Sequence, residues 1–276
     1  MRFRSVLFVP GHRLELLAKV PRWRPDVVVV DLEDAVSAAG KDAAREAVQG
    51  AELRVPGSTV LVRVNPPGTP WHDADVAAAV AGGAAGVVLP KADDPEAVTG
   101  LGDRLATALG AEACLVVGVE TALGVGRARE VLGTGAVTAA YFGAEDFIAD
   151  VGGRRTPGGL EVLHARSEVV LAGRLAGTPV IDQAVVALDD DDAFVADAEA
   201  GRALGYAGKL CVHPRQVTLA HGVFTPSEAE VAAARRVVEA AITFGVAVVD
   251  GRMVDAVHLR LARQVLERAG VAASRS

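Results

Sequence analysis

Ionisable or amide side chains follow seven consecutive short apolar segments of this 276-residue chain, close to the point where each segment ends. In chain order they are Asp31, Glu33 and Asp34; Arg63 and Asn65; Lys91; Glu120; Glu145 and Asp146; Asp182; and His213. When parallel strands close into a barrel, their carboxyl ends meet at one rim, and catalytic residues of such barrels lie at that rim. The spacing therefore predicts a single polar site to which seven strands contribute.

Carboxylates outnumber cations in this set. Four or five acids around one cavity repel one another unless a positive ion lies between them. Oxygen ligands from two or so side chains, with no His pair at helical spacing, favour Mg²⁺ over zinc. Glu120 is the strongest ligand candidate, because it directly ends an apolar run and small residues follow it. Asp34 and Asp146 precede helix-like segments, so they are candidates for helix capping as well as for metal ligation.

Arg63 directly follows the run Val-Leu-Val of the third apolar segment, beside these acids. Its planar guanidinium suits two roles that the residues alone leave open. It can pair with the acids structurally, or it can hold a substrate carboxylate or a developing enolate.

The elements that must position these residues alternate along the chain. Eight segments are apolar and rich in β-branched residues, with little polar alternation, which predicts parallel strands buried on both faces. These segments are Arg4–Val9, Val27–Leu32, Thr59–Val64, Gly86–Leu89, Cys114–Val119, Thr138–Phe142, Pro179–Asp182 and Lys209–Val212. Helix-like stretches separate many of them, including Leu14–Val20, Asp42–Val48, Pro95–Leu109, Leu160–Ala176 and Asp192–Ala203. This α/β alternation predicts a (β/α)₈ TIM barrel, and a doubly wound open sheet is the alternative.

Two further helical patterns, Ser227–Thr243 and Ala256–Arg268, follow the eighth strand and are separated by Gly245–Met253. We expect residues 1–222 to form the barrel domain and residues 223–276 to form a C-terminal helical extension. The extension either packs outside the barrel or crosses to a neighbouring subunit.

Composition excludes several classes of protein. The chain is 51% hydrophobic and 23% charged, which indicates a globular fold with a large core. Its formal net charge is −7, without a block of Lys and Arg interleaved with aromatics, so we expect no nucleic-acid partner. No apolar segment is long enough to span a membrane, so we expect no membrane partner. Cys114 and Cys211 lie in apolar runs typical of reduced thiols, and a cytoplasmic location is expected.

Seven motifs, in order along the chain, resemble the citrate lyase β-subunit-like family, and the resemblance runs from residue 4 to about residue 255. This family groups with malyl-CoA and citramalyl-CoA lyases in the HpcH/HpaI aldolase superfamily. The motifs are Arg-Ser-Val-Leu-Phe-Val-Pro-Gly (4–11), Asp-Leu-Glu-Asp-Ala-Val (31–36), Arg-Val-Asn (63–65), Leu-Pro-Lys (89–91), Val-Glu-Thr-Ala (119–122), Phe-Gly-Ala-Glu-Asp (142–146) and Val-His-Pro-Arg-Gln (212–216).

The resemblance implies a homotrimeric or hexameric barrel that uses Mg²⁺, or alternatively Mn²⁺, to cleave or form a C–C bond next to a CoA thioester. It implies that Glu120 and Asp146 bind the metal and that Arg63 contacts the keto-acid and thioester oxygens. It also implies that the backbone amides of Ala144, Glu145 and Asp146 bind the keto-acid carboxylate.

The resemblance further implies that Asp255, in the C-terminal extension, acts as an acid or base in a neighbouring subunit's site. The family's motif there is Met-Val-Asp-x-Pro, and the chain has Met253-Val254-Asp255 without the proline. Arg4 belongs to a group of cations around strand one and is a candidate for binding the phosphates of CoA. The alternative interpretation is that Arg4 is a solvated surface charge.

Two other functions stay open at this point. One is a CoA-independent, metal-dependent aldolase of 4-hydroxy-2-keto acids, which relies on a histidine base that we cannot assign here. The other is a citrate lyase β subunit that acts only on an acyl-carrier partner.

Overall fold

Eight parallel strands form a closed barrel, neighbour to neighbour in the order β1 to β8, in the computed structural model, which describes residues 1–244 and 246–271. The strands are Ser5–Pro10 (β1), Val27–Asp31 (β2), Thr59–Arg63 (β3), Gly86–Leu89 (β4), Cys114–Val119 (β5), Ala139–Phe142 (β6), Val180–Asp182 (β7) and Gly208–Cys211 (β8). β1 pairs with both β2 and β8, which closes the barrel. The predicted (β/α)₈ TIM barrel is confirmed, and the open-sheet alternative is wrong.

Helices follow the strands. Their bounds are Lys41–Gln49 (α1), His72–Ala81 (α2), Pro95–Leu109 (α3), Ala122–Gly126 (α4), Ala128–Leu132 (α5), Ala144–Val151 (α6), Leu160–Ala176 (α7), Asp191–Leu204 (α8), Pro214–Phe224 (α9), Glu228–Phe244 (α10) and Ala256–Arg268 (α11). Within the described residues, none of these helices is long and apolar enough to cross a membrane.

Side-chain alternation along the strands divides the apolar residues into two layers. Val27 and Val29 of β2 join the core inside the barrel, together with Leu61 of β3 and Val116 of β5. Val28, on the other face of β2, is equally buried. Strands that are buried on both faces carry apolar residues at nearly every position, which is why these segments lack the polar alternation of an exposed sheet.

Two local details differ from the sequence predictions. The segment predicted as a helix over Leu14–Val20 is a 3₁₀ helix, Leu14–Arg22, with Pro21 inside it. The segment between the last two helical patterns contains a hairpin of β9 (Ala247–Val249) and β10 (Arg252–Val254), whose turn is Asp250-Gly251 with positive φ at both residues. This dipeptide is the usual signal for a two-residue hairpin turn.

The chain divides into two compact units, Met1–His221 and Gly222–Ser276. In the second unit, α10 and α11 pack through Ala234, Val238, Ala262 and Leu266. The role expected for residues 223–276, a lid over a neighbouring subunit, stays a prediction. Residue 245, in the predicted separator Gly245–Met253, and residues 272–276, at the end of the extension, lie outside the described residues.

Candidate active site

Strand pleating sends three of the predicted polar residues into the barrel. Val29 and Leu61 are interior residues, and Asp31 and Arg63 follow two positions later on the same faces of β2 and β3. Glu120 lies four positions beyond the interior residue Val116 and therefore shares its face. All three are nearly inaccessible to solvent.

These residues line a cavity of about 420 Å³ formed by side chains from the carboxyl ends of the strands. Its polar lining residues are Asp31, Asp34, Arg63, Glu120, Glu145 and Asp146. The remaining lining is mostly apolar and consists of Phe8, Pro10, Ala35, Tyr141, Gly143, Ala144, Ala184, Leu210 and Val212.

The carboxylate of Glu120 is held by one of its two oxygens. The Lys91 backbone N–H donates to Oε1 at 2.8 Å, and the Tyr141 hydroxyl donates to the same oxygen at 3.0 Å. Among the described residues, no group donates to Oε2. Burial and the nearby charge of Asp146 raise the pKa of Glu120 to about 7. Oε2 is therefore available to a cation, which would restore the ionised form of the carboxylate.

Two glycines provide the space for this carboxylate. A Cβ on Gly118 would lie 2.4 Å from the Tyr141 hydroxyl that donates to Glu120 and 2.9 Å from Glu120 Oε1, and a Cβ on Gly143 would lie 2.2 Å from Oε2. Sequence reasoning missed both residues. A glycine within or directly after an apolar strand often marks the close approach of another group, and Gly118 and Gly143 occupy such positions in the sequence.

Asp146 lies in the first turn of α6, and its side chain is one-third exposed. Among the described residues, no three His, Cys, Asp or Glu side chains gather into a set that binds a metal through protein ligands alone. A pair of carboxylates suits Mg²⁺, which usually keeps several waters and takes one or two carboxylates plus substrate oxygens. The unshared Oε2 of Glu120 and the accessible Asp146 fit such a site.

Arg63 is fixed by two acids. Its Nε and Nη2 donate to Asp31 at 2.7 and 2.6 Å, and its Nη1 lies 2.9 Å from Glu33 Oε2, outside hydrogen-bonding geometry. The guanidinium carbon also lies 5.1 Å from the centre of the Phe8 ring. Burial lowers the pKa of Arg63, but the hydrogen bonds to Asp31 and its charge outweigh this effect and raise the pKa above its usual value, so the guanidinium stays charged. A fixed positive charge thus faces the cavity.

The first turn of α6 lines the cavity with residues whose backbone N–H groups are available to an anion. Ala144, Glu145 and Asp146 are the first three residues of this helix, so their N–H groups have no intrahelical acceptor. The three residues also line the cavity. A helix N-terminus of this kind binds anions such as carboxylates. The Glu145 side chain itself accepts from Arg155 Nε at 3.1 Å.

The structure does not bring Arg4 to this cavity. Arg4 precedes β1 and pairs with Asp26, which precedes β2, so both lie at the amino ends of the strands. The cavity lies at the carboxyl ends, on the opposite side of the barrel. The sequence had already placed Arg4 at the amino end of the first predicted strand, Arg4–Val9.

Asp255 lies in the second unit, where it forms a capping box at the start of α11. Its Oδ1 accepts from Val257 N at 2.9 Å and lies 2.7 Å from His258 Nδ1. The hydrogen bonds from His258 lower the pKa of Asp255. Asp255 is therefore a carboxylate at neutral pH and can accept a proton.

Asp182 and His213 are among the predicted rim residues that do not line the cavity. Asp182 faces outwards from β7, because its neighbour Ile181 faces the interior, and it pairs with Lys209 and Arg166 at 2.6 Å each. His213 is exposed, and its Nδ1 accepts from Arg215 N at 3.2 Å at the start of α9. Both residues have structural roles in the described chain.

Comparisons with known proteins agree with this architecture. Residues 4–214 match the HpcH/HpaI aldolase/citrate lyase family. The chain is 45% identical to a citrate lyase subunit beta-like protein of Deinococcus radiodurans, over 95% of this chain and 96% of that protein. It is 33% identical to a (3S)-malyl-CoA thioesterase of Cereibacter sphaeroides, over 97% and 94% of the two chains.

A similar fold occurs in a crystal structure of the protein CitE from Mycobacterium tuberculosis, in complex with magnesium, acetoacetate and coenzyme A. The TM-score is 0.84 and the identity is 32%, with 96% of this chain and 97% of that chain covered.

Proposed function

Because this chain belongs to the HpcH/HpaI aldolase/citrate lyase family, we propose that it is a Mg²⁺-dependent CoA-ester lyase. It would cleave or form a C–C bond between an acyl-CoA and a small 2-keto acid. The observation that carries the proposal is the joint placement of Glu120, Asp146 and Arg63 around one cavity. Two acids that can hold a metal thus face a permanent cation, and beside them lies a helix N-terminus suited to a carboxylate.

Glu120 and Asp146 are the proposed ligands of the metal. Bound there, Mg²⁺ would act as a Lewis acid on the substrate's hydroxyl or keto oxygen. The names of the similar proteins support both the metal and the CoA ester, since one is a CoA thioesterase and another was solved with magnesium and coenzyme A.

Each remaining part of the substrate has a matching feature of the chain. The N–H groups of Ala144, Glu145 and Asp146 would bind the keto-acid carboxylate. Arg63, already oriented by Asp31, would stabilise the negative charge that develops on the thioester oxygen. The apolar side chains of Phe8 and Leu210 would contact the acyl carbons.

In the cleavage direction, a base removes the proton of the substrate hydroxyl, the C–C bond breaks, and the keto acid separates. The bonding electrons remain on the acyl-CoA as an enolate, which is then protonated at carbon. Asp255 of a neighbouring subunit is the proposed base, because its lowered pKa keeps it in the ionised form that can accept a proton. This assignment requires the homotrimer or hexamer that the family resemblance implies.

The proposal is tested by adding malyl-, citramalyl-, methylmalyl- and citryl-CoA to the purified chain, with Mg²⁺ or with EDTA. We expect cleavage of at least one thioester with Mg²⁺ and none with EDTA. Glu120→Ala, with an unchanged circular dichroism spectrum, should be inactive. Full activity in EDTA or in Glu120→Ala would contradict the metal site.

A β subunit that depends on an acyl carrier is the second candidate, favoured by the similarity to a citrate lyase subunit beta-like protein. It predicts no cleavage of free CoA esters but cleavage of carrier-bound thioesters. The CoA-independent aldolase has less support, because no described residue that lines the cavity is a histidine.

A further inference from the structure

Lys91 has a backbone conformation that is unusual for its residue type. It follows β4 after Pro90, and its φ of 51° lies in the left-handed region, which favours glycine. Its backbone N–H donates to Glu120 Oε1 at 2.8 Å. Non-glycine residues in this region cluster at functional sites, where the surrounding structure maintains the strain. The strained backbone of Lys91 thus contacts the candidate site, and its side chain reaches acids of the same site.

The Lys91 ammonium group lies among three carboxylates. It donates to Glu33 Oε1, lies 3.4 Å from Asp146 Oδ1 and lies 3.9 Å from Asp34 Oδ2. The Lys91 side chain is 31% exposed, whereas Glu33 is almost completely buried. One flexible cation thus neutralises acids from the β2 loop and from α6. One of these acids, Asp146, is a proposed metal ligand.

The charges around the cavity are unequal. The acids there outnumber the cations. Among the described residues, two cations, Arg63 and Lys91, lie within 4 Å of one or more of the five acids Asp31, Glu33, Asp34, Glu120 and Asp146. Arg63 binds Asp31 through two hydrogen bonds and also lies 2.9 Å from Glu33. Among the described residues, Lys91 is the cation that lies within 4 Å of Asp34 and Asp146, so it balances these acids when no divalent ion is present. A divalent ion on Asp146 would experience the repulsion of this ammonium a few ångströms away.

We propose that Lys91 is an internal counter-ion of the metal site, which stabilises the metal-free acids and lowers the affinity of the site for divalent cations. The inference rests on the proposed function, because it takes Glu120 and Asp146 as the ligands. Lys91 acts through its charge on the metal-binding acids and does not contact the substrate. Its effect is therefore measured on metal binding and on thermal stability.

The experiment measures the affinity for Mn²⁺ by electron paramagnetic resonance and for Mg²⁺ by calorimetry, on the purified full chain without substrate. Lys91→Met should bind both ions about tenfold more tightly than the wild type, because one positive charge near Asp146 is gone. Lys91→Arg, which keeps the charge, should bind them like the wild type. Lys19→Met removes an exposed lysine and is the matched charge control.

Melting temperatures provide an independent measurement. Without metal, Lys91→Met should melt below the wild type, and added Mg²⁺ should raise its melting temperature by more than it raises that of the wild type. Lys91→Gly removes the same charge and accepts a φ of 51°, so it replaces the methionine variant if that variant does not fold.

The outcomes separate the two proposals. If the wild type binds Mn²⁺ and Glu120→Ala does not, but Lys91→Met binds it equally or more weakly than the wild type, the counter-ion role is overturned and the metal site stands. If the wild type binds no Mn²⁺, or if Glu120→Ala binds it equally, the proposed metal site and the counter-ion role fail together.

Discussion

Gly143 lies against the carboxylate of Glu120 so closely that a methyl group there would come within 2.2 Å of Oε2 and 2.6 Å of the Glu120 Cβ. The other carboxylate oxygen is held by the Lys91 backbone and the Tyr141 hydroxyl. Burial and the charge of Glu120 raise the pKa of Tyr141, which therefore remains a donor. The position of this carboxylate thus depends on a residue without a side chain.

We expect Gly143→Ala to displace the Glu120 carboxylate. Misplacement of a catalytic group by about 1 Å typically lowers the rate by about 10²-fold. A loss of this size in kcat, with weaker Mg²⁺ binding by calorimetry, is the expected result. Gly100→Ala is the matched control, because a Cβ at Gly100 in α3 meets nothing within 4 Å. An unchanged Mg²⁺ affinity in Gly143→Ala would show that Glu120 Oε2 does not bind the metal.

Arg63→Lys tests whether the shape of the cation matters in addition to its charge. A lysine cannot reproduce both hydrogen bonds to Asp31 and the approach to Glu33. We expect kcat to fall by about 10²-fold or more, the size of effect seen when one donor to a developing oxyanion is removed. Thermal unfolding should show a loss of stability, since Asp31 remains buried with a poorer partner. Wild-type kcat in a folded Arg63→Lys protein would exclude the enolate role.

Mixing two inactive variants tests the expected role of Asp255. If the base comes from a neighbouring subunit, Glu120→Ala and Asp255→Ala proteins should regain activity when they are refolded together. Random assembly of equal amounts would restore about a quarter of the sites, because each needs one intact cavity and one intact Asp255 from different chains. Activity in Asp255→Ala alone, or no recovery on mixing, would contradict this arrangement.

The buried ion pairs outside the barrel predict a pH dependence of stability. Although burial raises the pKa of Asp197, the charges of Lys209 and Arg166 outweigh this effect and hold the pKa below its usual value. The group therefore contributes stability above an unfolded pKa of about 3.9, and this contribution disappears as the pH falls through the folded pKa. Asp197→Asn should destabilise the protein at pH 7 by about 3 kcal/mol or less.

The same difference in unfolding free energy should become smaller between about pH 5 and pH 3, because the unfolded chain then binds a proton at Asp197 that the folded protein, with its lowered pKa, does not yet bind. Urea unfolding of both proteins at several pH values measures it. A difference that is constant over this range would show that Asp197 does not titrate with a lowered pKa.

Much of the architecture follows from local sequence. The apolar runs of β2 and β5 and the Ala- and Leu-rich stretches between strands are sufficient to predict a βα alternation, because strands and helices differ in length and in residue type. The count of eight strands then indicates a barrel. The hairpin turn at Asp250-Gly251 was equally readable, although the segment was interpreted only as a separator.

The sequence by itself determined that acids and Arg63 follow the strands, but it did not determine which of them face inwards. Strands buried on both faces carry apolar side chains on both, so their pattern does not distinguish inside from outside. Only the closed barrel decided that Glu120 enters the cavity while Asp182 turns outwards to Arg166 and Lys209. The tertiary structure also brought the Lys91 ammonium to Asp146, because a contact across 55 residues depends on the closure of the barrel. It depends as well on the left-handed backbone of Lys91, which the local sequence does not predict for a residue other than glycine.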